Sequence, residues 1–239
     1  RKVIAKALQG GRQLTRDELR RVLAQAGIAM GSEFRMAYLM MHAELEGLVC
    51  SGARRGKQFT YALLEERAPQ AKTLERDEAL YELTRRYFAS RGPATLHDFV
   101  WWSGLTMADA KRGVAAAKPR LEQATLNGQT YWFSPTAPVG SKTLQTAYLL
   151  PNYDEYGIAY RDRSAMFDAE RARQLVFNYL IVINGRLAGT WKRTLRKNEV
   201  ELETNTFERL TKAENRAVAA TARQYGAFLG LPVVLTERA

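Results

Sequence analysis

Thr15-Arg16-Asp17-Glu18, followed by Leu19-Arg20-Arg21-Val22-Leu23-Ala24-Gln25-Ala26-Gly27 and running on to Gln58-Phe59-Thr60-Tyr61, decides how this chain is read. The first four residues have the form of a capping box, in which a hydroxyl and a carboxylate satisfy each other's backbone donors at a helix start. Leu19, Val22, Leu23 and Ala26 repeat on one face behind it, and the pattern stops at Gly27. Ser32 is placed to cap a second helix, with Phe34, Ala37, Tyr38, Met41 and Leu45 at helical spacing and Gly47 near its end. Leu48–Ser51 and Gln58–Tyr61 then read as two strands flanking Gly52-Ala53-Arg54-Arg55-Gly56-Lys57. With the short helix of Val3, Ile4, Ala7 and Leu8 in front, the order is three helices and a basic hairpin. That is the order of a winged helix, a scaffold that commonly binds DNA and elsewhere serves only protein contact.

Outward from this stretch the same cycle returns. Leu80, Leu83, Thr84, Tyr87 and Phe88 form one face of a helix whose first turn carries Glu75, Asp77 and Glu78, as the helix dipole favours. Gly92 to Phe99 repeats the kind of stretch seen from Gly11 to Leu19, and Thr106-Met107-Ala108-Asp109 caps a further helix up to Pro119. Leu121–Thr125 and Thr130–Ser134 then flank Asn127-Gly128, a strong hairpin signal. Thr15 and Thr95 mark the repeat, about 80 residues apart. After a Pro- and Gly-rich loop from Pro135 to Ser141, the chain changes character. Leu144–Leu150, Leu180–Ile183, Arg186–Leu195, Glu199–Phe207 and Val233–Leu235 read as strands, and Thr211-Lys212-Ala213-Glu214 caps a helix that Gly230 and Pro232 stop. The expected architecture is α+β: winged-helix units at 1–68 and 69–140, then an antiparallel β-rich unit with helices at 141–239. A third winged-helix-like element could sit within that last unit.

A formal charge of +11 points to a polyanionic partner, double-stranded DNA first. No apolar run approaches the ~20 residues of a spanning helix, so no membrane partner is expected. One cysteine fits a reducing cytoplasm. Cys50, His42 and His97 are scattered without metal-ligand spacing, and no glycine-rich phosphate loop occurs, so neither metal nor cofactor is expected. Arg1 falls inside a helical pattern with no initiator Met and no cap, which suggests that further sequence precedes it.

Three stretches carry a family resemblance. Ala94-Thr95-Leu96-His97-Asp98-Phe99-Val100-Trp101-Trp102-Ser103-Gly104-Leu105-Thr106 is one; Leu149–Tyr156 with Tyr160–Ser164 is another; Asn184–Arg193 is the third. In this order they resemble the bacterial AlkZ-like winged-helix family. The resemblance implies tandem winged helices presenting a concave basic surface to duplex DNA. Some members are DNA glycosylases that excise alkylated bases or unhook interstrand crosslinks, hydrolysing N-glycosidic bonds. The family's catalytic Gln-x-Gln or Gln-x-Asp motif, which the resemblance places in the N-terminal region, does not occur in this chain, so either it lies in sequence preceding Arg1 or this member is not a glycosylase. The resemblance therefore implies DNA binding more directly than catalysis. A noncatalytic, regulator-like DNA-binding protein and a protein–protein scaffold are the alternatives.

The candidate DNA contacts are cations. Arg54, Arg55 and Lys57 lie on the glycine-flanked wing, which could neutralise about three phosphates. Lys111 and Arg112 lie on the second unit's third helix, and Arg161 and Arg163 flank the tyrosine-rich stretch. In the basic run Lys192–Lys197, Arg196 should face Glu199 and Lys192 should face Glu203 across the turn, which leaves Arg193 and Lys197, with Arg186 before the run, as candidates. Asp154 and Glu155, set among Tyr153, Tyr156 and Tyr160, are the weak catalytic candidates, since base excision needs a carboxylate or amide near the sugar. The same residues read more readily as a helix start capped by Asp154 with tyrosines packed beneath. Trp101 and Trp102, adjacent on a helix, should face different ways. The opening unit's second helix carries Met36, Leu39 and Met40 beyond its expected core face and only Arg35 as a cation, so it reads as a buried packing element that leaves only the wing for DNA.

Overall fold

The computed structural model describes residues 1–29, 31–136, 146–166 and 179–237, and the chain forms two compact units, Arg1–Leu74 and Glu75–Ala239. In the first, α1 (Lys2–Leu8), β1 (Leu14–Thr15), α2 (Arg16–Gln25), α3 (Glu33–Leu45), β2 (Val49–Ser51) and β3 (Thr60–Leu63) run in order, closed by the one-turn α4 (Leu64–Arg67). The capping box is formed: Glu18 accepts from the Thr15 backbone N–H at 2.7 Å, and the Thr15 hydroxyl accepts from the Glu18 N–H at 3.3 Å. β1 pairs with β3 (Leu14 opposite Tyr61) and β3 with β2 (Val49 opposite Leu63), giving the order β1-β3-β2. Leu8, Leu19, Met36, Met40 and Leu63 form the centre of the core.

Helix α3 is turned differently from the expectation. Its buried face is Met36, Met40 and Ala43, whereas Phe34 is 74%, Tyr38 63% and Leu45 81% exposed. The helix carries two apolar stripes, each at helical spacing, so periodicity could not choose between them. Nor is it buried all round. Ser32 occupies the capping position without making a side-chain cap bond.

The second unit repeats the sequence of elements: α5 (Arg76–Arg91), β4 (Ala94–Thr95), α6 (Leu96–Ser103), α7 (Met107–Ala117), β5 (Glu122–Leu126) and β6 (Gln129–Phe133). Its sheet order β4-β6-β5 repeats β1-β3-β2, the short first strand again adding beside the hairpin's second strand. Asn127 and Gly128 both have positive φ, 50° and 75°, as a two-residue hairpin turn whose twist suits the strands requires. Tyr87, Phe88, Phe99, Ala110 and Val114 fill the core.

Helices α5 and α7 meet at Gly113, where a Cβ would lie 2.2 Å from Thr84 Oγ1 and 3.3 Å from the Leu80 carbonyl oxygen. Gly to Ala within a helix ordinarily stabilises by up to about 1 kcal/mol. Here the sign should reverse: Gly113→Ala should destabilise by roughly 1–3 kcal/mol through overpacking. Urea denaturation measures it, and an unchanged or raised midpoint would show that the two helices do not approach this closely.

The remaining strands β7 (Ala147–Leu150), β8 (Leu180–Ile183), β9 (Arg186–Leu195), β10 (Val200–Thr206) and β11 (Val233–Glu237) form one five-stranded sheet, ordered β11-β10-β9-β8-β7. Helix α8 (Glu155–Ile158) follows β7, and α9 (Lys212–Leu229) lies between β10 and β11. Pairing is antiparallel except that β11 runs parallel to β10. The 18-residue α9 is the crossover that a parallel pair needs. Lys192 stands opposite Glu203 as expected. Arg196 does not pair its side chain with Glu199; its guanidinium takes both carboxylate oxygens of Glu201 at 3.0 Å, since residues two apart share a strand face. The expected loop at 137–141 and strand start at Leu144 lie outside the described residues.

Candidate nucleic-acid interface

Asp98 is where the stretches single out one another. As the third residue of α6 it completes a capping box: its Oδ2 accepts from the Thr95 N–H at 2.9 Å and the Thr95 hydroxyl at 2.7 Å. Its Oδ1 reaches a distant part of the chain, accepting from the Arg161 N–H at 2.8 Å and the Asp162 N–H at 3.1 Å. The residue is 3% exposed, so one buried carboxylate satisfies four donors and fixes the 161–162 backbone to the α6 start.

Around it the contacts interlock. Arg91 at the end of α5 donates Nε and Nη2 to Glu155 Oε2 at 3.0 and 2.5 Å, and the Trp102 indole donates to the same oxygen at 3.0 Å. Arg91 also lies 4.7 Å from the Trp102 ring centre. The Trp101 indole donates to the Ile158 carbonyl at 2.9 Å, and the Tyr160 hydroxyl to the Arg91 carbonyl at 2.9 Å. Tyr156 extends the network to the third stretch, donating to the Gly185 carbonyl at 2.7 Å. The Trp191 indole returns to the Leu150 carbonyl at 2.8 Å. All three sequence stretches thus meet around α8.

The two tryptophans divide as adjacent helical residues must. Trp102 packs 5.1 Å from Tyr87, whereas Trp101 is 55% exposed with the Arg163 guanidinium 5.8 Å from its ring. Tyr87 is fully buried, its hydroxyl has no hydrogen-bond partner among the described residues, and burial pushes its pKa up. Glu155 is held below the ordinary carboxylate range, first by Arg91 and further by Trp102. Through this one oxygen Glu155 ties Arg91, α8 and α6 together. Asp154 caps α8, accepting from the Tyr156 N–H at 2.9 Å. Arg91 and Asp98 are the residues of this network that the sequence pattern does not single out as site members. Their partners at Glu155, Arg161 and Asp162 lie 63 to 64 positions away, beyond any local pattern.

The candidate cations fall into two groups. Arg55 lies on the wing, but its guanidinium is tied to Glu18 at 2.7 Å and the Gln13 carbonyl at 2.8 Å. Arg54 stacks 4.5 Å from the Phe59 ring. Arg112 pairs with Asp77 at 2.5 Å, Arg163 donates to the Tyr160 carbonyl at 3.0 Å, and Arg193 donates to the Tyr225 hydroxyl. Arg193 was expected to lack a partner; an aromatic hydroxyl on α9, remote in sequence, supplies one. Lys57, Lys111, Arg161, Arg186 and Lys197 are exposed, and their side chains have no partner among the described residues. No group of three or more metal-ligating side chains occurs among the described residues, and no described helix is long and apolar enough to cross a membrane.

Repeated helix–hairpin units followed by a five-stranded sheet define a fold already seen in a DNA glycosylase. The chain superposes on the Streptomyces sahachiroi DNA glycosylase AlkZ with a TM-score of 0.74 at 21% identity, over 98% of this chain and 68% of that one. The sequence model described as DNA glycosylase AlkZ-like matches residues 1–228, and the chain belongs to the AlkZ-like family. No curated protein sequence matches it.

Proposed function

We propose that this protein is a duplex-DNA-binding repair protein of tandem winged helices, acting as a glycosylase on alkylated or crosslinked bases. The observation that carries this reading is the AlkZ-like family match across nearly the whole chain. The repeated element order and equivalent sheet orders of the two units support the tandem winged-helix description. The net charge of +11 and the unpaired cations support a phosphate-rich partner. The units are read as winged helices at 1–68 and 69–140 and a β-rich unit at 141–239, working on chromosomal DNA in the bacterial cytoplasm. No residue of this chain is assigned the hydrolytic step, because the family's Gln-x-Gln or Gln-x-Asp motif is absent from it. That absence favours one second reading, a noncatalytic DNA-binding protein on the same scaffold.

Incubation of the whole protein with duplex containing N7-methylguanine, and separately with a crosslinked duplex, separates the two. Abasic sites above the uncatalysed background are expected from at least one substrate. Tight duplex binding with no release from either would leave the noncatalytic reading standing.

A further inference from the structure

The hairpin of β5 and β6, the first turn of α6 and residues 161–162 enclose an open cleft of ≈ 830 Å³ within the second unit. Gln123 and Trp132 stand directly opposite one another, and Thr130, two residues before Trp132, shares their face. His97 comes from the first turn of α6, Gln129 from the hairpin tip and Arg161 from the facing segment. The side chains of His97, Gln123, Gln129, Thr130 and Arg161 have no hydrogen-bond or ionic partner among the described residues. The two acidic residues of the lining are committed to their own chain. Asp98 accepts four hydrogen bonds, and Asp162 accepts from the Ser164 N–H at 2.9 Å.

The chemistry selects a ligand. Two carboxamides, a hydroxyl and an imidazole offer both donors and acceptors, as the edge of a heterocyclic base requires. The half-buried Trp132 supplies aromatic surface, and stacking on an aromatic side chain suits any base. Arg161 supplies a guanidinium at the same cleft, the group suited to a phosphate. Its backbone N–H is held by Asp98, which places the residue at the cleft. A volume of this size matches small-ligand sites, roughly 300–1,000 Å³, and is too small for a duplex. We infer that this cleft receives a single unstacked nucleotide of a DNA strand. The inference rests on the proposed DNA-binding function and adds a binding site to it.

The test compares two duplexes of the same sequence, one fully paired and one with a single bulged nucleotide. The intact chain should bind the bulged duplex about tenfold more tightly, the effect of one stacked and hydrogen-bonded base. His97→Ala with Gln123→Ala should reduce that preference to within about twofold while leaving affinity for the paired duplex unchanged, because both residues are exposed and outside the core. Equal affinity of the intact chain for both duplexes would overturn the inference. So would a preference that survives the double substitution, which would place the unpaired nucleotide elsewhere. Failure to bind either duplex would instead overturn the DNA-binding reading beneath it.

Discussion

Asp98→Ala is expected to lower the stability of the Glu75–Ala239 unit by about 3–5 kcal/mol, since three backbone donors lose their buried acceptor at roughly 1–3 kcal/mol each. The substitution leaves the backbone N–H groups of Thr95, Arg161 and Asp162 without their acceptor at a position only 3% exposed. For a unit of this size the melting temperature should fall by about 10 °C. Thr95→Ala is the matched control. It removes the hydroxyl of the same capping box and should cost only about 1 kcal/mol. Asp98→Asn should fall between them, since one of its two ends would present N–H groups to N–H groups. Denaturant unfolding of the three variants decides the point. If Asp98→Ala costs no more than Thr95→Ala, the bonds to Arg161 and Asp162 contribute nothing and Asp98 is an ordinary cap.

The contrast between Thr95 and Asp98 also shows what the sequence could and could not reveal. A capping box joins residues three apart, so Thr15 with Glu18, Thr95 with Asp98 and Thr211 with Glu214 were readable and are formed. Asn127-Gly128 was readable for the same reason, because the turn conformation is set by those two residues. The second oxygen of Asp98 has partners more than 60 positions away, and no local pattern points to them. Helix α3 failed differently: Met36 and Met40 compete with Phe34, Tyr38 and Leu45 for the core, and both sets have helical spacing. What decided between them was which side the rest of the unit packs against. β11 was recognised as a strand, but its parallel pairing with β10 depends on α9 carrying the chain back. Among the cations, charge was visible and commitment was not. Arg55 looked as available as Lys57 until Glu18 and Gln13 were found against it.

That division between paired and unpaired cations yields the largest expected effect on DNA affinity. Lys111→Ala, Arg161→Ala and Arg186→Ala combined should weaken duplex binding about a hundredfold near physiological salt, if each side chain neutralises one phosphate. The same variant should lower the slope of log K against log salt by about 2.7, or roughly 0.9 per lost phosphate contact. All three side chains are exposed and lack partners among the described residues, so the fold should tolerate their removal. Arg55→Ala with Arg112→Ala removes two cations whose guanidinium groups already face Glu18 and Asp77. This control should change DNA affinity by no more than about twofold, since Debye screening limits what a neutralised surface pair contributes at a distance. Salt-dependent fluorescence anisotropy on a fixed duplex measures both variants. A control variant that loses as much affinity as the triple would mean that the paired arginines exchange their carboxylates for phosphates. A triple variant within twofold of the intact chain would exclude Lys111, Arg161 and Arg186 as the contact surface. With the slope reduced by the predicted amount, the phosphate contacts are assigned to these three side chains rather than to the wing arginine on which the sequence pattern first focused.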